Sequence, residues 1–161
     1  MSKFEKALVV SDTHRNKSSM NNIARQFADF DYLFHLGDNV EDAAYLKSIM
    51  PGIKLKAVKG NCDLGAGFED FKEIIIKGNK IILTHGHKLK VKYSYDRVLY
   101  YALEQEAAAI LFGHTHIAYK EYVNGVWLVN PGSAGDEMRG DLSVAVLLIG
   151  KNGIVPKIVC I

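Results

Sequence analysis

The chain has 161 residues, with 20 Lys and Arg against 18 Asp and Glu and 48% apolar residues. A chain of this length is expected to form one domain, residues 1–161, that buries about 70% of its unfolded surface and needs no disulfide or structural metal to fold. The formal charge of +2 is spread evenly along the chain, which excludes the basic stripe of a non-specific nucleic-acid binder and leaves room for a local phosphoester pocket.

Ala7 to Val10 is a short apolar, β-branched run, read as a buried strand, and it ends in Ser11-Asp12-Thr13-His14. Met20, Ile23, Ala24 and Phe27 recur at helical spacing, with Ser18 or Ser19 as the expected amino-terminal cap. Tyr32-Leu33-Phe34 predicts a second strand, ending in His35-Leu36-Gly37-Asp38. Asn39 is expected to cap a second helix, with Glu41 and Asp42 in its favourable first turn and Pro51-Gly52 as its stop. Leu55 to Val58 predicts a third strand, ending in Gly60-Asn61-Cys62-Asp63.

From there the pattern changes to hairpins. Ile74-Ile75-Ile76 and Ile81-Ile82-Leu83 flank a turn read as Gly78-Asn79, and the second strand ends in Thr84-His85-Gly86-His87. Tyr95, Val98, Leu99, Ala102 and Leu103 form the apolar face of a third helix. Ala109 to Phe112 is a buried strand ending in Gly113-His114-Thr115-His116. Asn124-Gly125 joins two further strands, and Leu142 to Ile149 with Ile154 to Ile158 make a closing hairpin around Lys151-Asn152-Gly153. The first half implies a parallel sheet with right-handed crossovers, and the second requires antiparallel pairs and a place in a second sheet.

Cys62 and Cys160 lack C-x-x-C spacing and are expected as free thiols in a reducing compartment. The apolar block after Lys3 and Lys6 is shorter than a signal-peptide core, and no segment reaches the roughly 20 apolar residues of a membrane span. A cytoplasmic location is the expectation.

Asp12 and His14, Asp38, Asn61, His85, then His114 and His116 all follow the carboxyl end of a predicted strand, the edge where α/β sheets assemble sites. Singly each has an ordinary explanation: Asp and Asn as turn or cap residues, His85 as a hydrogen-bonded histidine, His114-x-His116 as exposed loop residues. Together they place many polar groups at one edge, which is costly unless a cation or a complete hydrogen-bond network satisfies them.

The ordered set Asp12-Thr13-His14, Gly37-Asp38, Gly60-Asn61-Cys62-Asp63, His85 and Gly113-His114-Thr115-His116 resembles the calcineurin-like metallophosphoesterase family over about residues 7–133. Within it the chain is similar to the small bacterial and archaeal phosphodiesterase branch, related to the scaffold subunit of retromer, which also carries the Asn130-Pro131-Gly132-Ser133 pattern. The resemblance implies an α/β fold, a two-sheet metallophosphoesterase sandwich flanked by helices in four layers, α-β-β-α. It implies that Asp12, His14, Asp38 and His116 hold one metal, and that Asp38 bridges to a second completed by Asn61, His85 and His114. Carboxylate, amide and imidazole without thiolate suit two divalent ions, manganese first, with nickel, iron and zinc as alternatives. A shared short carboxylate is one way to hold two cations about 3.5–4 Å apart, and a bridging solvent ligand with lowered pKa would supply hydroxide for in-line attack.

The implied activity is metal-dependent hydrolysis of small or nucleotide-like phosphodiesters. The alternatives are a non-catalytic metal-binding scaffold of the same fold, and a phosphomonoesterase or nuclease using the same site. The expected partner is a small phosphodiester, with no membrane and no extended nucleic-acid surface, and assembly into a homo-oligomer stays open.

Asp38, Asn61 and His87 are the candidate catalytic residues. His87 is given a role toward substrate or toward the ligands, against the alternative of an exposed loop imidazole. The chain departs from the family where many members have a histidine after the Asn: here stands Cys62, expected as a small buried residue and a poor proton donor. Asp63 is expected to orient a histidine or cap a turn, and His35 to be a hydrogen-bonded core histidine. Arg15 is open between a phosphate contact and solvent, and Lys88, Lys90 and Lys92 are expected as a solvent-facing row. Asn130 and Ser133 are open between a structural turn and contact with ligands or phosphate.

Overall fold

The computed structural model describes residues 2–65 and 67–161. In β1 (Glu5–Val10), Ala7 and Val9 face one core while Leu8 and Val10 face another, so a strand covered on both sides reads as an unbroken apolar run. α1 (Lys17–Gln26), β2 (Tyr32–His35), α2 (Asp42–Ile49) and β3 (Lys54–Ala57) follow, with β1, β2 and β3 parallel. β4 (Phe71–Ile76) and β5 (Asn79–Thr84) form a hairpin. α3 (Asp96–Glu104) then leads to β6 (Ala109–Leu111), the hairpin of β7 (Tyr119–Val123) and β8 (Val126–Asn130), and the closing pair β9 (Ser143–Gly150) and β10 (Gly153–Cys160).

The strands make two mixed five-stranded sheets, ordered β10-β9-β1-β2-β3 and β4-β5-β6-β8-β7. Val9, Phe34, Leu83, Leu111 and Leu147 meet between them. Met20 and Ile23 of α1 and Leu46 of α2 cover the outer face of the first sheet, while Val98 and Ala102 of α3 cover that of the second. The layers therefore run α-β-β-α, as the resemblance implies. Each fully buried Leu or Ile contributes about 1.5–3 kcal/mol. What matters for the site is direction: β1, β2 and β3 run parallel in one sheet, β5, β6 and β8 in the other, and their carboxyl ends meet at one rim.

Several local expectations are corrected. Asn16, not Ser18 or Ser19, caps α1, its side chain accepting the Ser19 N–H at 3.0 Å. The helix cannot start earlier because His14 and Arg15 hold left-handed backbone, with φ of 46° and 59°. Asn39 gives α2 no side-chain cap; it too is left-handed, and its carbonyl accepts the Asp42 N–H. The β4–β5 turn is Lys77-Gly78, both with positive φ, and Asn79 opens β5 with its amide bonded to the Ile76, Lys77 and Gly150 carbonyls. Leu103 is partly exposed and stays outside the core of α3. The closing hairpin returns to the first sheet, with β9 antiparallel to β1. No described helix is long and apolar enough to cross a membrane.

Candidate metal centre

Six of the seven residues expected as ligands gather into two groups at the rim. Asp12, His14, Asp38 and His116 form one, Asp38, His85 and His114 the other, with one candidate ligand atom per residue and those atoms within 4.8 Å of each other in each group. Asp38 belongs to both. Asn61 stands exposed on the neighbouring loop, its amide nitrogen 3.7 Å from Cys62 Sγ, and the Cys62 N–H donates to Asp38 Oδ1 at 3.0 Å.

The backbone beneath these groups is strained. Asp12, His14, Asp38, His114 and His116 all have φ between 46° and 71°, a region that costs a non-glycine residue about 1–3 kcal/mol and persists only where the surroundings enforce it. The surroundings can be named. Asp63 accepts the N–H groups of Asp38 and Gly60 on Oδ2, at 2.9 and 2.8 Å, and that of Val40 on Oδ1 at 2.9 Å. Asp42 accepts the Arg15 N–H at 2.8 Å. The buried Asn130 amide donates to Gly113 O and Thr115 Oγ1, and Ser133 Oγ donates to Asp12 O at 2.8 Å. The loops also need to touch: a Cβ on Gly60 would lie 2.2 Å from Asp38 Oδ1, and one on Gly113 would lie 2.1 Å from Ser11 Oγ.

Hydrogen bonds fix which atoms face the gap. His85 Nδ1 is 2.8 Å from the Leu36 carbonyl, which can only accept, so that nitrogen carries the proton and Nε2 presents a lone pair. The lone pair points toward His114 Nδ1 at 3.1 Å and Asp38 Oδ1 at 3.5 Å. His116 Nδ1 donates to Asp136 Oδ2 at 2.9 Å, leaving Nε2 3.0 Å from Asp12 Oδ1 and 3.4 Å from His14 Nε2. Asp12 Oδ2 is taken by Ser11 Oγ at 2.6 Å and the His114 N–H at 3.2 Å, so Oδ1 is the oxygen turned to the gap. Buried lone pairs and carboxylate oxygens thus converge, an arrangement that a positive charge satisfies and that fits divalent cations.

The titration directions agree with that charge pattern. Burial alone would raise the Asp12 carboxyl, but the hydrogen bonds from His116 and Ser11 bring it down to about 2. His114 is pushed down to about 4, by burial first, which keeps its imidazole neutral and fit to ligate. His116, bonded to Asp12 and Asp136, is raised above the usual imidazole value despite its burial.

The remaining residues divide by surroundings. His35 is fully buried; Nδ1 accepts the Gly37 N–H at 3.1 Å, so Nε2–H donates to Thr13 Oγ1 at 3.0 Å, the core histidine expected. Asp63 caps the Asp38 loop and contacts no histidine in that role. Arg15 pairs with Glu41 at 3.2 Å, and Lys88 pairs with Asp70 at 3.2 Å. Asn130 and Ser133 are buried structural clamps. His87 follows Gly86 into a short 3-10 turn, its ring centroid 5.4 Å from that of His85 and its buried Nδ1 without a partner. Cys62 is exposed, which corrects the expected burial: the loop is held through its backbone, and the thiol is left outside. Partial desolvation and Asp38 push that thiol above its usual range.

Asp136 and Ser11 were missed by the sequence reading. The available signal was that a ligating imidazole passes its second N–H to a carboxylate, which says a partner exists without saying which of 18 acidic residues it is.

This rim, on this sandwich, defines a metallophosphoesterase. The chain belongs to the calcineurin-like phosphoesterase superfamily, whose domain model matches residues 6–152. It is 37% identical over 128 residues to the probable metallophosphoesterase YsnB of Bacillus subtilis, covering 78% of this chain and 73% of that protein. The fold is shared with Vps29 from Cryptosporidium parvum, at 18% identity and a TM-score of 0.84 over 99% of this chain and 93% of that one. It is shared as well with a structure described as a novel archaeal phosphodiesterase, at 23% identity and a TM-score of 0.74 over 96% and 99% of the two chains.

Proposed function

We propose that the protein is a cytoplasmic, metal-dependent phosphodiesterase that hydrolyses small or nucleotide-like phosphodiesters at a dinuclear centre, with manganese as the first candidate metal. The observation that carries this reading is the shared Asp38: one buried carboxylate belongs to both ligand groups, as a bridge between two cations requires. Two divalent ions, when bound, supply the positive charge that activates water and polarises the phosphoryl oxygens.

The chain's own groups do the rest. Asp12, His14, Asp38 and His116 would hold one ion, and Asp38, His85 and His114, with Asn61 from the neighbouring loop, would hold the other. Leu36 O and Asp136 keep His85 Nε2 and His116 Nε2 free to ligate by holding the proton on the opposite nitrogen. His87, whose imidazole burial holds below its usual range, is neutral at neutral pH and meets substrate as a hydrogen-bonding group. Water adds to phosphorus and gives one proton to solvent, the P–O bond to one ester group breaks, and the departing alkoxide takes a proton from solvent, because Cys62 is a poor donor.

The test is hydrolysis of a chromogenic aryl phosphodiester by manganese-loaded protein, beside a panel of phosphomonoesters and cyclic nucleotides. Asp38→Ala and His114→Ala are expected to abolish turnover with circular dichroism preserved, since neither side chain supplies apolar packing; Asp38→Ala also frees the Cys62 N–H and loses about 1 kcal/mol of stability. Full activity in either folded variant overturns the assignment. The likeness to Vps29 supports a second reading, a non-catalytic metal-binding scaffold. Tight manganese uptake without turnover on any member of the panel would favour it.

A further inference from the structure

The strands that carry the histidine rim at their carboxyl ends converge at their amino ends on a cavity of about 720 Å3. Phe4 precedes β1, Asn79 opens β5, Ala108 precedes β6 and Gly125 precedes β8, so this cavity lies at the foot of the sandwich. A six-residue strand such as β5 separates it from the rim by about 20 Å.

Its lining is both aromatic and cationic. Trp127 packs partly into the core between the sheets, and the Tyr122 ring lies against it with centroids 4.9 Å apart. Lys3, Lys77 and Lys151 line the same space, and no Asp or Glu does. Four lysines elsewhere pair with carboxylates, Lys6 with Asp29, Lys72 with Glu69, Lys80 with Glu73 and Lys88 with Asp70, and most of the others do not. Among the described residues the three at the cavity have no such pair. Lys77 Nζ instead donates to the Ser2 carbonyl at 3.1 Å, which fixes it beside the opening. The Asn79 amide ties the β4–β5 turn to the end of β9 through Gly150 O at 2.8 Å, so the floor is preformed.

Three like charges without counter-charge beside two aromatic rings tilted at 46° to each other, in a volume typical of small-molecule pockets, ask for an anion with a planar ring that can stack on one of them. We propose that this cavity is a second ligand site for a molecule of the nucleotide class, its base against Trp127 and Tyr122 and its phosphate among Lys77, Lys151 and Lys3. It shares no residue with the metal rim and stands whether or not the rim is catalytic.

Trp127 is the one tryptophan of the chain, so its emission reports on this cavity alone. Full-length Asp38→Ala protein, in which the rim is disabled as a phosphate site, is titrated with AMP by fluorescence and by calorimetry. The expected result is saturable binding, with adenosine and inorganic phosphate each about tenfold weaker or worse. Lys77→Ala with Lys151→Ala weakens AMP by about tenfold, the worth of a lost phosphate contact, and Tyr122→Ala weakens AMP and adenosine alike. In the otherwise unaltered protein the lysine pair of substitutions leaves diester hydrolysis unchanged. The proposal is overturned if AMP gives neither an emission change nor heat, if its affinity survives loss of both lysines, or if adenosine binds as tightly as AMP.

Discussion

Replacing Asp63 tests whether the strained ligand loop is held from behind. Its carboxylate accepts three backbone N–H groups, those of Asp38, Gly60 and Val40, and a charge-assisted bond of this kind is worth about 1.5–3 kcal/mol. Water reaches this half-buried loop and recovers part of that, so Asp63→Ala is expected to lose about 3 kcal/mol. For a chain of this size that lowers Tm by roughly 6–12 °C. Metal binding should weaken more distinctively. Asp38 has φ 57° and relaxes when its N–H is released, and loss of an outer hydrogen bond of this kind lowers metal affinity about 10–100-fold. Asp63→Asn separates the two effects: its oxygen can still serve Asp38 and Gly60, while its amide nitrogen meets the Val40 N–H donor to donor, at a cost of about 1–2 kcal/mol. Calorimetric melting with and without manganese, and competition of manganese against a chelating dye, read both quantities. If Asp63→Ala melts within about 1 kcal/mol of wild type and binds manganese equally well, the loop does not depend on this residue and the reasoning fails.

Three further outcomes follow from the same contacts. Asp136→Ala should weaken manganese binding about 10–100-fold while Asp136→Asn, whose oxygen still accepts the His116 Nδ1–H, retains most of it; equal losses in a chelator competition would show that Asp136 acts otherwise. His35 is buried neutral and held down to about 4 from an ordinary 6.5, so its contribution to stability is complete above pH 6.5 and fades as pH falls toward 4, by about 3 kcal/mol. Denaturation midpoints measured across that window should therefore flatten in His35→Asn relative to wild type, and unchanged slopes would refute the assignment. Cys62→His should speed hydrolysis of diesters with poor leaving groups and leave nitrophenyl substrates little affected, because an imidazolium can protonate an alkoxide where a neutral thiol cannot; no change in the ratio of the two kcat values argues against proton transfer from this position.

The rim was legible because each strand stops abruptly: Val10 gives way to Ser11-Asp12 and Phe112 to Gly113-His114, and a break from buried apolar to ligand-type residues marks a carboxyl edge. The parallel first half was legible because α1 announces its face by spacing and α2 its stop by Pro51-Gly52. What joins β9 to β1 was not, because strand pairing across more than a hundred residues leaves no mark on either run. Helix starts were misread where tertiary structure decides them: Asn16, Ser18 and Ser19 are all competent caps, and the left-handed backbone at His14 and Arg15 selects the first.

The deepest omission is the left-handed backbone of the candidate ligands themselves. Sequence announces that conformation through Gly or Asn, but here Asp12, Asp38, His114 and His116 adopt it, and side chains chosen for chemistry occupy positions that glycine would fill at less cost. Strain of this kind survives only while something opposes it. Ser11, Asp42, Asp63, Asn130 and Ser133 are therefore part of the same device as the ligands, although none belongs to either ligand group. Their short polar side chains read in sequence as ordinary turn formers. Only the targets of their hydrogen bonds, the Asp12 carboxylate and carbonyl, the Arg15 and Asp38 N–H groups and the Gly113 carbonyl, distinguish them from residues that merely end a strand.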